Sequence, residues 1–279
     1  MPELPEVETI ARALRQGGRN GPAILGQVLD SADVLWERSI AQPDVAQFRQ
    51  RLAGQAVDQV TRRGKFICLA LSRDNLFIHL RMSGDLRVES SRDERGATRP
   101  LEKHDRVVFN FAGGLRMAFN DARKFGRVWL AADASQVTGS LGPEPLSPAF
   151  TAADHNQRLQ KTHRQLKPLL LDQSFLAGLG NIYTDESLHA ARLNPSLPAN
   201  RVSPDQADRL WTAIRQALEE GIQRNGASID WVYRGGNFQN HFRVYQRTGK
   251  PCPVCGTLIQ RRLIGQRSTH FCPVCQPEG

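Results

Sequence analysis

Four cysteines near the C-terminus have the types and spacing for metal chemistry. In CPVCGTLIQRRLIGQRSTHFCPVC, Cys252 and Cys255 are two residues apart, as are Cys272 and Cys275, and sixteen residues separate the pairs. Each CPVC knuckle can aim two thiolates at one tetrahedral ion, and the intervening stretch has the length of a β-hairpin. Four thiolates leave no open coordination position, so the expected cofactor is one structural Zn²⁺. His270 is then a neighbour of the site or a surface residue. A second unusual grouping opens the chain. MPELPEVE packs three glutamates and two prolines into eight residues, and Pro2 would become the first residue if Met1 were removed.

Charge narrows the class of partner. The 279 residues carry a formal net charge of +9, and the last 39 hold six basic residues against one acidic. That distribution favours a polyanion, most often nucleic acid. There is no run of 18 apolar residues and no charged-then-apolar leader. A protein of the cytoplasm is expected, with no membrane partner. The fifth cysteine, Cys68, lies in the apolar run KFICLALS and reads as a buried thiol.

The elements that must position these groups fall into three stretches. Val7, Ile10, Ala11 and Leu14 recur at helical spacing, so residues 6–15 form an amphipathic helix, with Pro5 and Glu6 suited to its first turn. Residues 22–132 contain short Val/Phe/Leu-rich runs between Gly, Asp and Ser turns, the pattern of a sandwich or barrel. Three prolines in LGPEPLSPAF mark a linker at 141–150. Residues 151–226 turn helical. Ser203 is the N-cap of the clearest helix, Gln206 completes a capping box, and Leu210, Ile214, Ala217 and Ile222 form its inward stripe, with Gly226 as the stop.

Four separated features coincide in order: PELPEVE, the HLRMSG and DARKFG turns, GLGNIYTDESL, and the terminal Cys₄ ribbon. Together they closely resemble bacterial formamidopyrimidine-DNA glycosylase over essentially the whole chain. The resemblance implies an α+β multi-domain fold. Residues 1–140 would form a catalytic β-sandwich flanked by the N-terminal helix, and 141–150 the linker. Residues 151–241 would be a helix–two-turn–helix DNA-binding domain, and 242–279 a zinc ribbon. The implied partner is duplex DNA carrying oxidised bases or abasic sites, bound by a monomer associated with the nucleoid.

The resemblance also implies roles. With Met1 removed, Pro2 is a secondary amine that attacks the sugar C1′, expels the damaged base and leaves an iminium. Such an iminium is cationic without protonation and remains an electron sink for β-elimination. A terminal amine is less basic than lysine, so more of it is free near neutral pH. Glu3 matches the general acid or base beside the sugar, Glu6 stands behind it, and Lys65 in RRGKFI matches a lysine that helps elimination. Met82, Arg123 and Phe125 match residues that fill the gap left by an extruded nucleotide. Arg267 matches the ribbon arginine that grips the phosphates beside the lesion and has a catalytic role in δ-elimination in the family, although a guanidinium suits an anchor better than a proton donor. His104, Arg164 and Lys167 match DNA-contacting or basic positions. In GLGN, Gly178 and Gly180 allow close backbone approach, Asn181 adds a side-chain contact, and the helix N-terminus offers N–H groups to a phosphate.

The chain departs from the family pattern at Gly64, where Ala is usual, at Ala122, where Pro is common, and at Gln246, where Gly is common. Residues 227–241, which would cap the lesion, are the least family-like. The implied reaction is excision of oxidised purines followed by strand cleavage through β/δ-elimination. The rival readings are an endonuclease VIII-type enzyme for oxidised pyrimidines and a non-catalytic zinc-ribbon DNA-binding protein. Leu4 and the Met82/Arg123/Phe125 set favour the purine enzyme over the first. Retention of Pro2, Glu3, Lys65 and Asn181 argues against the second.

Overall fold

The computed structural model describes residues 1–18, 21–228 and 235–278. Residues 229–234 of the segment 227–241 therefore lie outside the described residues. No helix among them is long and apolar enough to cross a membrane. They cluster into two compact units. The first holds Met1–Pro2 and Glu6–Ser140, with Ser228 and Gly235. The second holds Glu3–Pro5, Leu141–Ala227 and Gly236 onward.

Helix α1 (Leu4–Gln16) begins two residues earlier than the apolar spacing indicates. The reason is local to its start: the Leu4 N–H donates to the Gly178 carbonyl at 3.0 Å, which satisfies a group the helix itself leaves unpaired. Val7, Ile10, Ala11 and Leu14 are all buried, as the spacing requires.

The first unit continues through β1 (Leu29–Val34), β2 (Ile40–Gln42), α2 (Val45–Leu52), β3 (Val57–Arg63), β4 (Phe66–Leu71) and β5 (Asn75–His79). It ends with β6 (Gly84–Ser90), β7 (Asp105–Phe111), β8 (Leu115–Asp121), β9 (Arg127–Ala131) and the short α3 (Ser135–Thr138). Two sheets result. One has the order β1-β7-β8-β6, the other β2-β9-β5-β4-β3. All pairs are antiparallel except β2 with β9. A single apolar cluster joins Phe109, Met117 and Phe119 of the first sheet, Ile67, Leu69 and Ile78 of the second, and the buried stripe of α1. Burying one face of each sheet against the other is what a sandwich requires. Cys68 falls on the other face of β4, half-buried, because side chains alternate along a strand and Ile67 and Leu69 take the core side.

In the second unit, α4 (Ala152–Gln160), α5 (Leu166–Leu171), α6 (Asn181–Ala190) and α7 (Pro204–Gln223) precede a hairpin of β10 (Gln260–Ile264) and β11 (Arg267–Phe271). Ser203 caps α7 with Gln206 completing the capping box. The buried stripe of α7 is Ala207, Leu210, Ala213, Ile214, Leu218 and Gly221, displaced from the expected one at Ala217 and Ile222. Gly221 explains the displacement: a Cβ there would lie 2.5 Å from the Tyr183 ring, so the glycine face is the one that meets α6. Helix α6 is buried from Ile182 through His189, including its polar residues.

Candidate nucleic-acid interface

In the first unit, two turns carry the exposed side chains. Between β5 and β6, Arg81 adopts φ +54°. Its N–H donates to His79 Nδ1 at 3.0 Å. Burial, reinforced by the charges of Arg81 and Lys65, pulls the His79 pKa down to about 3, so the ring is neutral and able to accept. Between β8 and β9, Arg123 and Phe125 follow Asp121. That carboxylate, itself buried, ties the turns together: it accepts the Ser83 hydroxyl, the Arg123 N–H at 3.2 Å and the Gly126 N–H at 2.7 Å. Gly126 has no room for a side chain, since a Cβ would lie 2.2 Å from Phe119.

On this fixed base Met82 is 42% exposed and Phe125 49%. The Arg123 guanidinium lies 5.4 Å from the Phe125 ring centroid. His104 is half-buried beside them; its carbonyl accepts the Asp121 N–H at 2.9 Å, and its Nδ1 lies 3.3 Å from Arg106. Two large apolar side chains held in solvent on a rigid base are suited to a partner that offers apolar surface, such as base edges and faces. Asp121 and Ser83 were not singled out from sequence; the only signal was an acidic residue and a serine inside the two quoted motifs.

Lys65 is buried and follows Gly64, whose φ of +56° suits glycine better than alanine. Glu6 is buried in the first turn of α1. Pro2 is buried, and while Met1 remains attached its nitrogen is an amide without nucleophilic character.

In the second unit, the N-terminus of α6 is already occupied by Glu3. Its carboxylate accepts N–H groups from Gly180 at 2.6 Å, Ile182 at 2.9 Å and Tyr183 at 3.4 Å. This corrects the expectation that these amides face a phosphate. A helix start favours an anion, and here the anion belongs to the chain. The glycines permit close approach, but to the chain's own N-terminal residues: a Cβ on Gly180 would lie 2.3 Å from the Glu3 carboxyl carbon, and one on Gly178 2.6 Å from Leu4.

Lys167 is also corrected. Its side chain is fully buried, with Nζ 2.5 Å from Asp185 Oδ1 and 3.2 Å from the Asn181 carbonyl. An ammonium enclosed in this way does not reach a phosphate. Burial lowers its pKa, with Asp185 and Glu3 opposing. Arg164 is exposed but folds back onto Asp172 at 2.7 Å. Burial raises the Asp172 pKa, yet hydrogen bonds from Arg164 and Ser174 outweigh it and bring the group to about 2. Arg267 stands exposed at the hairpin turn, after Gly265 and Gln266 with φ +57° and +61°, and its guanidinium has no partner among the described residues. Asn181 donates through Nδ2 to the Ser268 carbonyl at 2.9 Å, which places the residue after Arg267.

The same helix holds the ribbon at further points. Asp185 Oδ2 accepts from His270 N at 2.9 Å and lies 3.0 Å from its Nδ1. Glu186 accepts N–H groups from Arg243, Val244 and Tyr245 at 2.8–3.0 Å, and burial nonetheless raises its pKa. Asn181, Asp185 and His189 recur every fourth residue along one side of the helix. That spacing is the sequence signal for a polar seam.

The four thiols lie within 4.8 Å of one another. Sulfur–sulfur distances are 3.4 Å for Cys255–Cys272, 3.5 Å for Cys255–Cys275 and 3.9 Å for Cys252–Cys275. A tetrahedron of Zn–S bonds has edges of about 3.8 Å, so the group fits one ion. Burial and the neighbouring sulfurs push the Cys272 and Cys275 thiols up, and a divalent cation would offset that by stabilising the thiolates. The donor set defines one structural zinc.

Comparison with known proteins places these parts. Residues 1–128 match the formamidopyrimidine-DNA glycosylase N-terminal domain, 141–232 its H2TH domain, and 249–277 a zinc finger found in FPG and IleRS. A glycosylase domain, an H2TH domain and a zinc finger in this order define a DNA-repair glycosylase by class. Formamidopyrimidine-DNA glycosylases of Pelotomaculum thermopropionicum and Geobacillus kaustophilus are each 41% identical over 285 residues, covering 99% of this chain and 99% and 100% of theirs. Among solved structures, a Lactococcus lactis Fpg bound to abasic-site DNA superposes with TM-score 0.88 at 33% identity. The same enzyme with FAPY-dG DNA gives 0.88 at 34%, each over 99% of this chain and 100% of the other. The chain belongs to the formamidopyrimidine-DNA glycosylase family.

Proposed function

We propose that the protein is a base-excision-repair enzyme that removes oxidised purines, 8-oxoguanine and formamidopyrimidines, from duplex DNA of the nucleoid and then cleaves the strand at the abasic site. The observation that carries the residue assignment is the anchoring of Glu3. Three backbone amides of one helix start hold the carboxylate that follows Pro2 in the chain. A residue serving only as a rigid entry to α1 does not need them.

The chemistry requires Met1 to be removed. The Pro2 nitrogen then attacks C1′, the glycosidic bond breaks and the base leaves with a proton. Opening of the sugar ring gives the iminium at C1′. That cation acidifies the C2′ hydrogens, so β-elimination expels the 3′ phosphate, and δ-elimination expels the 5′ phosphate. Glu3 supplies fixed negative charge and proton transfer at the sugar, with Glu6 behind it. Lys65 assists elimination. Met82 and Phe125 replace lost stacking, Arg123 hydrogen-bonds the orphaned base, and His104 contacts the strand. Arg267 and Asn181 hold phosphates. Arg164 can join them only by releasing Asp172.

Borohydride trapping on an 8-oxoguanine:cytosine duplex tests the reading. The mature protein, beginning at proline, is expected to give a covalent adduct that maps to Pro2. Pro2→Gly is expected to slow excision by on the order of 10²-fold or more. Normal excision by that variant removes Pro2 from the role of nucleophile. A stronger adduct on an oxidised-pyrimidine duplex moves the substrate class.

A further inference from the structure

The zinc ligands have a neighbour that no part of the reaction uses. His189, near the C-terminal end of α6, is buried, and its Nε2 lies 3.4 Å from Cys252 Sγ. Its Nδ1 has no partner among the described residues. A proton on Nδ1 would therefore find no acceptor, whether the ring were neutral or charged. A proton on Nε2 finds a sulfur. The geometry selects the neutral tautomer with hydrogen on Nε2.

The sulfur needs that donor. Four thiolates around one divalent cation leave net negative charge, and Cys252 and Cys272 lie in an apolar cluster with Val244 and Ile259. Negative charge in such surroundings is costly without N–H donors. Cys272 receives the Cys275 N–H at 3.4 Å, and Cys252 receives the Val254 N–H at 3.5 Å, both from within the knuckles. The His189 contact is different in kind, because it comes from a helix 63 residues away in sequence.

We propose that His189 donates an Nε2–H hydrogen bond to the Cys252 thiolate, acting as a positioning residue that strengthens zinc retention and fixes the ribbon to α6. Groups of this kind orient metal ligands and spread their charge, and their loss typically weakens metal binding about 10- to 100-fold. His189 extends the seam of Asn181 and Asp185 to the metal itself.

The test compares zinc-loaded wild type, His189→Phe and His189→Gln by the rate of zinc release to a chromogenic chelator. Phe keeps the ring volume without the donor, and Gln keeps an N–H near the Nε2 position. His189→Phe is expected to release zinc about tenfold faster, and His189→Gln to stay within about threefold of wild type. With Co²⁺ in place of zinc, the thiolate-to-metal charge-transfer band of His189→Phe is expected to shift to the red. Wild-type release by the Phe variant, or release by the Gln variant as fast as by Phe, overturns the proposal. If His189→Phe does not fold, ¹⁵N spectra of the histidines in zinc-loaded wild type decide. A protonated Nε2 with bare Nδ1 supports the bond, and the reverse tautomer overturns it.

Discussion

Around Asp121 the buried charge is one carboxylate, and what it binds are backbone N–H groups and a hydroxyl of two turns whose tips stay in solvent. Along α6 the buried charges are many. Glu3, Lys167, Asp185 and Glu186 are all enclosed, and each is bound by other parts of the same unit. The first arrangement presents side chains to a partner and commits none of them to internal bonds. The second commits its buried charges to the fold, and Arg267 stands exposed at the hairpin turn. A motif residue in the first unit is therefore informative by its own chemistry, whereas in the second its partners decide what it does.

Lys167→Met gives the sharpest test of that contrast. Removing one partner of a buried pair leaves Asp185 uncompensated, so urea unfolding should show a loss of about 3–5 kcal/mol. The dependence of DNA affinity on salt should keep its slope, because no phosphate contact is lost. An unchanged stability with a shallower slope would place Lys167 on the DNA after all.

Acidification should find both units vulnerable. His79 in the first is held near 3, and His155 in the second near 4, in each case chiefly by burial. Both are depressed, so the neutral ring favours the folded state. That stability is complete above the unfolded pKa of about 6.5 and is lost as pH falls toward 4 and then 3. Each histidine should cost about 2 kcal/mol by pH 5, seen as a lower midpoint in thermal unfolding than at pH 7.5. His79→Gln should remove its share of the pH dependence and leave that of His155.

Asp121→Asn places an amide where two N–H groups and a hydroxyl converge. A loss of about 1–3 kcal/mol is expected, together with weaker excision, because the tips above it lose their base. Met82→Ala should be the mildest for the fold. Stability should stay within about 0.5 kcal/mol in denaturant melts, while excision from duplex DNA falls on the order of tenfold. A destabilised Met82→Ala protein would show that the tip serves the core and would erase the distinction between the units.

Much of this was legible in the sequence where cause and effect lie close together. The Cys₄ set, the Ser203–Gln206 cap and the apolar stripe of α1 each depend on residues within one turn or one hairpin. Met82, Arg123 and Phe125 are exposed at turns that the quoted motifs already mark, since turn tips need no distant partner. Lys167 and Gly180 misled because their partners, Asp185 and Glu3, stand 18 and 177 residues away. Gln246 shows the same limit on a smaller scale. It occupies a left-handed conformation, φ +54°, where the family commonly has glycine, and the sequence displayed the departure without its backbone consequence.

The polar seam of α6 bears on how freely the parts of this protein could be exchanged. Asn181, Asp185, Glu186 and His189 all bond to residues between 243 and 270. A chain truncated before the ribbon would strip Glu186 of its three N–H donors and His189 of its sulfur, and would leave Asp185 with Lys167 as its remaining partner. The ribbon is thus not a detachable appendage. Transplanting a zinc ribbon from another protein would succeed only if those four helix positions travelled with it.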